Sequence, residues 1–520
     1  MSTMTSDMLC SGLLAFVQKS DFSVTAHDFS ALSPLIAMAV GSVLVLLVDL
    51  LLKKSQPQRE LITLLSYASL AVAFFLGLGL WSGEARHFVE NTEVSNSLSL
   101  ALIDTWRASD YSVLATLLAI GISTLVLALS RPWFQDQDFV HFGEYHFLLI
   151  LFPLGISLMT GASNLILAII GLELFSLALY VLVGIRRGQH KGSEATLKYF
   201  LLGAFAAAVF LYGAALIYAG NESGLLIRVR NLGQSATLPA PTGLAAIGGG
   251  LVFMALFFKG SVVPFHIWTP DVYESAPTPI TALMSTGTKI GAFLLMLSVL
   301  HFVPHQLHIL FPILCALTIV IGNAGALAQT KLKRMLAYSG IGHAGYLMLS
   351  ITVAATVKSH SAAELGVKST IFYLITYAAS NLVAFGVLSY LERQEEKVLT
   401  LDGIKGLARR NPMASAALAL SMFSLAGLPP TAGFWGKYYI FDAAIRSQLW
   451  LLAIIGILAS VIGLYYYLRV VAQLYFHDAE EASRIPARGY TAPIAIAASS
   501  AVILLIGLAP NLLFDFLIAS

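Results

Sequence analysis

Six residues offer this sequence its chemistry: Glu173, Lys198, Lys259, His266, Lys289 and Lys437. Depth singles them out, because each lies in or beside a long apolar run. A lysine at mid-bilayer costs about 3 kcal/mol on the insertion scale, so it marks a charge pathway by default. An ionised carboxylate as deep as Glu173 needs a cation, and lysine is the only cation at comparable depth. The expected pair is Glu173–Lys259; a neutral glutamic acid capping a polar neighbour is the competing reading. Attraction to the carboxylate and loss of hydration pull the ammonium in opposite senses, so a small change in separation would load or release a proton. Lys289 lies too far into its run to snorkel, and Lys437 follows Pro430 by about two turns. His266 comes nearly two turns after Lys259. Its imidazole suits a relay between two lysines too far apart to touch, with a satisfied structural histidine as the alternative. His343 invites the same two readings. Lys198, near the start of its run beside Glu194, fits snorkelling as well as a buried role.

The elements that must position these residues are membrane helices. The chain has 520 residues, 58% hydrophobic and 11% charged, with mean hydropathy +0.80, which describes a polytopic membrane protein. The net charge of +2 gives no sign of nucleic acid, and Cys10 and Cys315 match no metal or redox spacing. Spanning runs fall near 31–52, 61–81, 111–131, 146–160, 163–186, 196–220, 243–270, 277–302, 307–328, 333–356, 369–391, 413–445, 450–475 and 491–516. That is an all-α chain of about fourteen transmembrane helices.

Two of these runs should be broken. The seventh breaks at Pro264. The twelfth would be about 48 Å long if straight and contains Gly427-Leu-Pro-Pro430, which removes backbone donors. Broken helices at membrane depth face protein or a watery cavity. The breaks lie five crossings apart, so equivalent units would be inverted, an arrangement that puts the transport site at the breaks. The expected division is a 1–30 tail, three helices in 31–145, five-helix repeats at 146–302 and 307–476, and a C-terminal helix in 491–520. Basic residues such as Lys53, Lys54, Arg186, Arg187, Lys331, Arg334, Lys397, Arg409 and Arg410 fall on one side if the N-terminus is outside. Both termini are then expected on the outer side. The 82–110 loop, rich in Asp and Glu, fits that face, whereas Asp136, Asp138 and Glu144 count weakly against it.

Gly340-Ile-Gly342-His-Ala-Gly345 matches a dinucleotide-binding pattern, but no strand precedes it, and close helix packing accounts for glycines in an apolar run. No phosphate loop, zinc motif or nucleophile elbow is present in the sequence, and no redox cofactor is expected on this chain.

The stretches FFKGSVVPFHIWTPDVYESAPTPITALMSTGTK, QTKLKRMLAYSGIGHAGY and LAGLPPTAGFWGK resemble the proton-translocating, antiporter-like membrane subunits of respiratory complex I and related cation/proton antiporters. GLELFSLALYVLVG followed by EATLKYFLLGAFAAAVFLYGAALIY is most similar to the subunit N branch of bacterial NADH-quinone oxidoreductase. The resemblance implies fourteen helices with two inverted five-helix units. It implies that Glu173 is the carboxylate paired with Lys259, that Lys289 is the central lysine and that Lys437 guards the outward side. Lys198 and His266 match polar positions along the hydrated axis. It further implies a bacterial inner membrane, neighbours of the subunit K and M type, and flavin, iron–sulfur clusters and quinone on partner subunits. A subunit of a multi-subunit sodium/proton antiporter is the alternative.

Overall fold

The computed structural model describes residues 26–82, 106–135, 141–185, 190–220, 241, 243–356, 360–392, 399–478 and 489–519. Most of the expected 1–30 tail lies outside them, as do residues 83–105 and Arg186, Arg187, Arg393 and Lys397. Among the described residues the secondary structure is helical, with two isolated bridges, Trp106 to Ala162 and Lys331 to Thr400.

Helices are numbered by crossing. They are α1 (Ala26–Leu51), α2 (Gln56–Ser82), α3 (Asp110–Gln135), α4 (Phe142–Thr160), α5 (Leu165–Val183) and α6 (His190–Ala219). Next come α7a (Gly243–Gly260), α7b (Trp268–Ser275), α8 (Thr278–Ser298), α9 (Leu310–Leu327), α10 (Leu332–Thr356) and α11 (His360–Glu392). The chain ends with α12a (Pro412–Ala426), α12b (Ala432–Arg446), α13 (Trp450–Tyr475), α14a (Thr491–Leu508) and α14b (Pro510–Ala519). Twelve of these helices are long and apolar enough to cross a membrane. The α10 helix, with Lys333 and Arg334 in its first turn, and the α12a/α12b pair complete the fourteen expected crossings.

Local chemistry sets the boundaries. The tight turn between α4 and α5 closes on Asn164, whose side chain accepts from Leu167 N at 2.8 Å. Asn411 caps α12a in the same way, with Pro412 at the first helical position where its missing N–H costs nothing. The α12a helix ends on Gly427, whose φ of 84° is the left-handed conformation that glycine adopts most readily. Several boundaries depart from expectation. The 491–516 run is two helices, because Pro510 cannot donate to the turn before it. The α7b helix also runs on to Ser275, five residues beyond the expected end.

Both breaks lie where expected, at 261–267 and 427–431, each containing a cis X-Pro bond, Val263-Pro264 and Pro429-Pro430. A break frees carbonyls that a bilayer cannot hydrate, so side chains must reach them. At the first, Trp268 Nε1 donates to Phe258 O at 3.1 Å; at the second, Lys437 Nζ donates to Ala426 O at 2.8 Å.

Burial sorts the helices into centre and rim. The α8 helix is buried along its whole length and nearly all of the apolar stretch of α11 is buried, against about one-third of that of α1, α2 and α6. The α8 helix packs among α3, α4, α7a, α10 and α11. The α9 and α10 helices approach closely where small residues meet. A Cβ on Gly322 would lie 2.2 Å from Gly342 N, and one on Gly345 would lie 2.5 Å from Ile319.

Candidate functional site

Four described lysines are buried: Lys333, which donates to Ala276 O at 2.6 Å from the start of α10, and Lys259, Lys289 and Lys437, which are 1%, 0% and 6% exposed. The last turn of α7a carries Lys259 into an aromatic cage. Its Nζ donates to Tyr180 Oη at 3.1 Å and lies 5.1 Å from the Tyr180 ring and 5.5 Å from that of Tyr199. Tyr199 in turn stacks on Trp268 at 4.6 Å, so the cage is tied to the side chain that closes the first break.

Glu173 does not make the expected direct pair with Lys259: no hydrogen bond or ion pair joins them, and its Oε1 has no protein partner. Tyr180, two turns further along α5, takes the ammonium instead. Glu173 lies half-buried on the lateral face of α5, between the exposed Ile166, Ile170, Leu177 and Val181.

Lys289, near the middle of α8, has no hydrogen-bond partner in the protein, and its Nζ lies 5.7 Å from the Tyr377 ring. Lys437 is held by Ala426 O and by Ser460 Oγ, both at 2.8 Å, with the Tyr346 ring 5.2 Å away. His343 of α10 shares a chamber with Lys437, lined also by Tyr373, Thr376, Tyr377 and Ser424. Its Nδ1 contacts Tyr373 Oη at 2.5 Å and its Nε2 contacts Tyr467 Oη at 3.0 Å. The Tyr467 hydroxyl also meets Ser339. The imidazole thus has a hydroxyl at each nitrogen, and hydroxyls both donate and accept, so either tautomer is satisfied.

The remaining two expected site residues lie elsewhere. His266 sits half-buried in the turn of the first break, its Nδ1 without a partner and its ring joined to neither lysine. The break turns the chain before the second helical turn that would have set it beside Lys259. Lys198 is part of a charge cluster that pins α7b between α6 and α10. Its Nζ meets Asp271 at 2.6 Å, while Arg334 meets Asp271 at 2.8 Å and Glu274 at 3.1 Å, and Lys331 also reaches Glu274. Lys198 and Asp271 are each about one-third exposed, so this is an interfacial ion network rather than a buried charge.

Sequence reasoning weighed His343 without choosing it and passed over Tyr180, Tyr373, Tyr377 and Ser460. A signal existed for the first chamber wall: Tyr373, Tyr377 and Ser380 recur at helical spacing in the apolar α11, a polar stripe that the runs of hydropathy hide.

Two broken helices, with a buried lysine in the last turn before the first break, another just beyond the second and a third on the helix that follows the first break, define an antiporter-like class of membrane subunit. The chain belongs to the family described as NADH:quinone oxidoreductase/Mrp antiporter, TM, whose model matches residues 162–463. Within that family it belongs with the subunit N group of NADH-quinone oxidoreductase. The Chloroflexus aggregans subunit N is 38% identical over 502 residues, 94% of this chain and 96% of that one. Subunit N 1 of Herpetosiphon aurantiacus is 39% identical over 414 residues, 78% of this chain and 82% of that one. Among solved structures, a chain of respiratory complex I from Thermus thermophilus with bound aureothin superposes with TM-score 0.74 at 32% identity, covering 93% of this chain and 98% of that one. The Mrp complex from Dietzia shares the fold, with TM-score 0.74 at 19% identity over 95% of this chain and 96% of that one.

Proposed function

We propose that this chain carries protons across a bacterial inner membrane, driven by redox chemistry on the partner subunits of an NADH-quinone oxidoreductase. The observation that carries the reading is the row of buried cations. Lys259, Lys289 and Lys437 sit in three successive polar niches of one interior, and only the third holds its ammonium with more than one oxygen. A buried ammonium with so few oxygen partners is costly to keep charged, so its proton is readily passed to an acceptor within reach. The path runs from Glu173 and Lys259 in the first unit (146–302), through Lys289, to His343 and Lys437 in the second (307–476). Glu173 acts across the helix face rather than by direct contact. Lys198 holds the inner end of α7b in place, and His266 borders the first break. Flavin, iron–sulfur clusters and quinone belong to partner subunits, with membrane neighbours of the K and M type, and both termini lie on the outer side.

The test is Lys289→Ala and, separately, Lys259→Ala in the assembled complex, reconstituted in vesicles with a pH-sensitive dye. Each is expected to slow proton uptake by about tenfold or more and to depress NADH oxidation with it. Wild-type pumping in both variants would refute the path.

A further inference from the structure

The glycines of Gly340-Ile-Gly342-His-Ala-Gly345 do not share one job. Gly342 and Gly345 lie against α9, where added Cβ atoms would meet Asn323 Nδ2 at 3.0 Å and Ile319 Cγ1 at 2.5 Å. Gly340 faces the other way. A Cβ there would have Tyr377 Oη at 3.1 Å and Lys289 Nζ at 3.7 Å, with nothing else beyond its own helix within 4 Å. The missing side chain therefore leaves a notch whose two walls are both polar atoms. Both polar atoms therefore border the same small space beside the bare backbone of Gly340. Both atoms are buried, and neither has a hydrogen-bond partner in the protein. A buried donor left so costs free energy, and a small polar hollow with two partners is where an internal water belongs.

We propose that the notch at Gly340 seats one water joining Lys289 Nζ to Tyr377 Oη, which makes Gly340 and Tyr377 positioning residues for proton transfer between Lys289 and His343. The inference rests on the proton path above. The water takes a proton from the Lys289 ammonium and passes one of its own to Tyr377 Oη. The tyrosine releases its hydroxyl proton into the chamber it shares with His343, where the Tyr373 hydroxyl takes it up and passes its own to His343 Nδ1. Lysine is left neutral, water and both tyrosines are restored, and nothing is oxidised.

The experiment uses the whole complex in vesicles with four variants: Gly340→Ala, Gly340→Ser, Tyr377→Phe and Lys289→Ala. The alanine methyl, 3.1 Å from Tyr377 Oη, crowds the water out, and the phenylalanine removes only the hydroxyl. Both are expected to slow proton uptake by about tenfold with the complex assembled. Serine is larger than alanine, yet its hydroxyl can stand in for the water, so Gly340→Ser is expected to recover most of the rate. A purely steric role for Gly340 gives the opposite order, serine worse than alanine, and would overturn the proposal. Wild-type pumping in Gly340→Ala and Tyr377→Phe alongside loss in Lys289→Ala would also overturn it while leaving the path intact. Wild-type pumping in Lys289→Ala would bring down the path and the notch together. Should Gly340→Ala fail to assemble, Tyr377→Phe decides. In an electron cryomicroscopy map of the unsubstituted complex, the water is expected within hydrogen-bond distance of both atoms; a dry notch refutes it.

Discussion

Lys437 and Lys259 each rest against something that holds them, and Lys289 does not. The three therefore respond differently to deletion. Lys437→Ala removes a charge and also strips the donor from Ala426 O at the second break, so it should lower both pumping and thermal stability, the latter by about 1–3 kcal/mol for the carbonyl left unpaired. Thermal unfolding of the purified complex separates it from Lys289→Ala, which should alter pumping with little change in stability. The two histidines differ as well. His343, with a hydroxyl at each nitrogen beside Lys437, should cost about tenfold or more in proton uptake when changed to alanine. His266→Ala should cost clearly less, and equal losses would return His266 to the relay position read from the sequence. Lys259, Lys289 and Lys437 were legible because each lies too deep in its apolar run to snorkel, whereas Lys198 near the start of its run did not stand apart from an interfacial lysine. The imidazole was not, because spacing along the chain assumes a continuous helix and the break at 261–267 ends it.

Helices and their ends were largely legible, since a bilayer forces long apolar runs and proline marks where they stop. What the runs could not give was the partner of each freed carbonyl, which depends on side chains distant in sequence. Trp268 and Lys437 perform that task for their respective breaks, with only Lys437 titratable. Gly427 lies under the same structure. Its φ is +84°, and a Cβ would fall 2.8 Å from Lys437 Cδ. Gly427→Ala should therefore cost about 1–2 kcal/mol of backbone strain and push the lysine stem aside. The check is a lowered unfolding temperature together with slower pumping; an unchanged complex would mean the break tolerates a side chain. In the charge cluster that holds α7b, Asp271→Asn loosens contacts to Lys198 and Arg334 that are each partly exposed. The expected loss is about 0.5 kcal/mol per pair, smaller than any change at a break and read in the same melting experiment.

For the whole molecule, the lateral face of α5 matters most. Glu173 lies among Ile166, Ile170, Leu177 and Val181, which are 51–57% exposed, and a carboxylate facing hydrocarbon is not sustainable. A neighbouring subunit should cover that face. Ile170→Cys and Leu177→Cys are expected to cross-link to a membrane partner in the intact complex, and labelling by a lipid-soluble maleimide with no cross-link would place the face in lipid. The α8 helix, by contrast, reaches the perimeter nowhere along its length. No adjoining chain can touch Lys289 in mid-membrane, so whatever news arrives from the rest of the assembly must be relayed to it inward, hand to hand, by residues of this subunit alone.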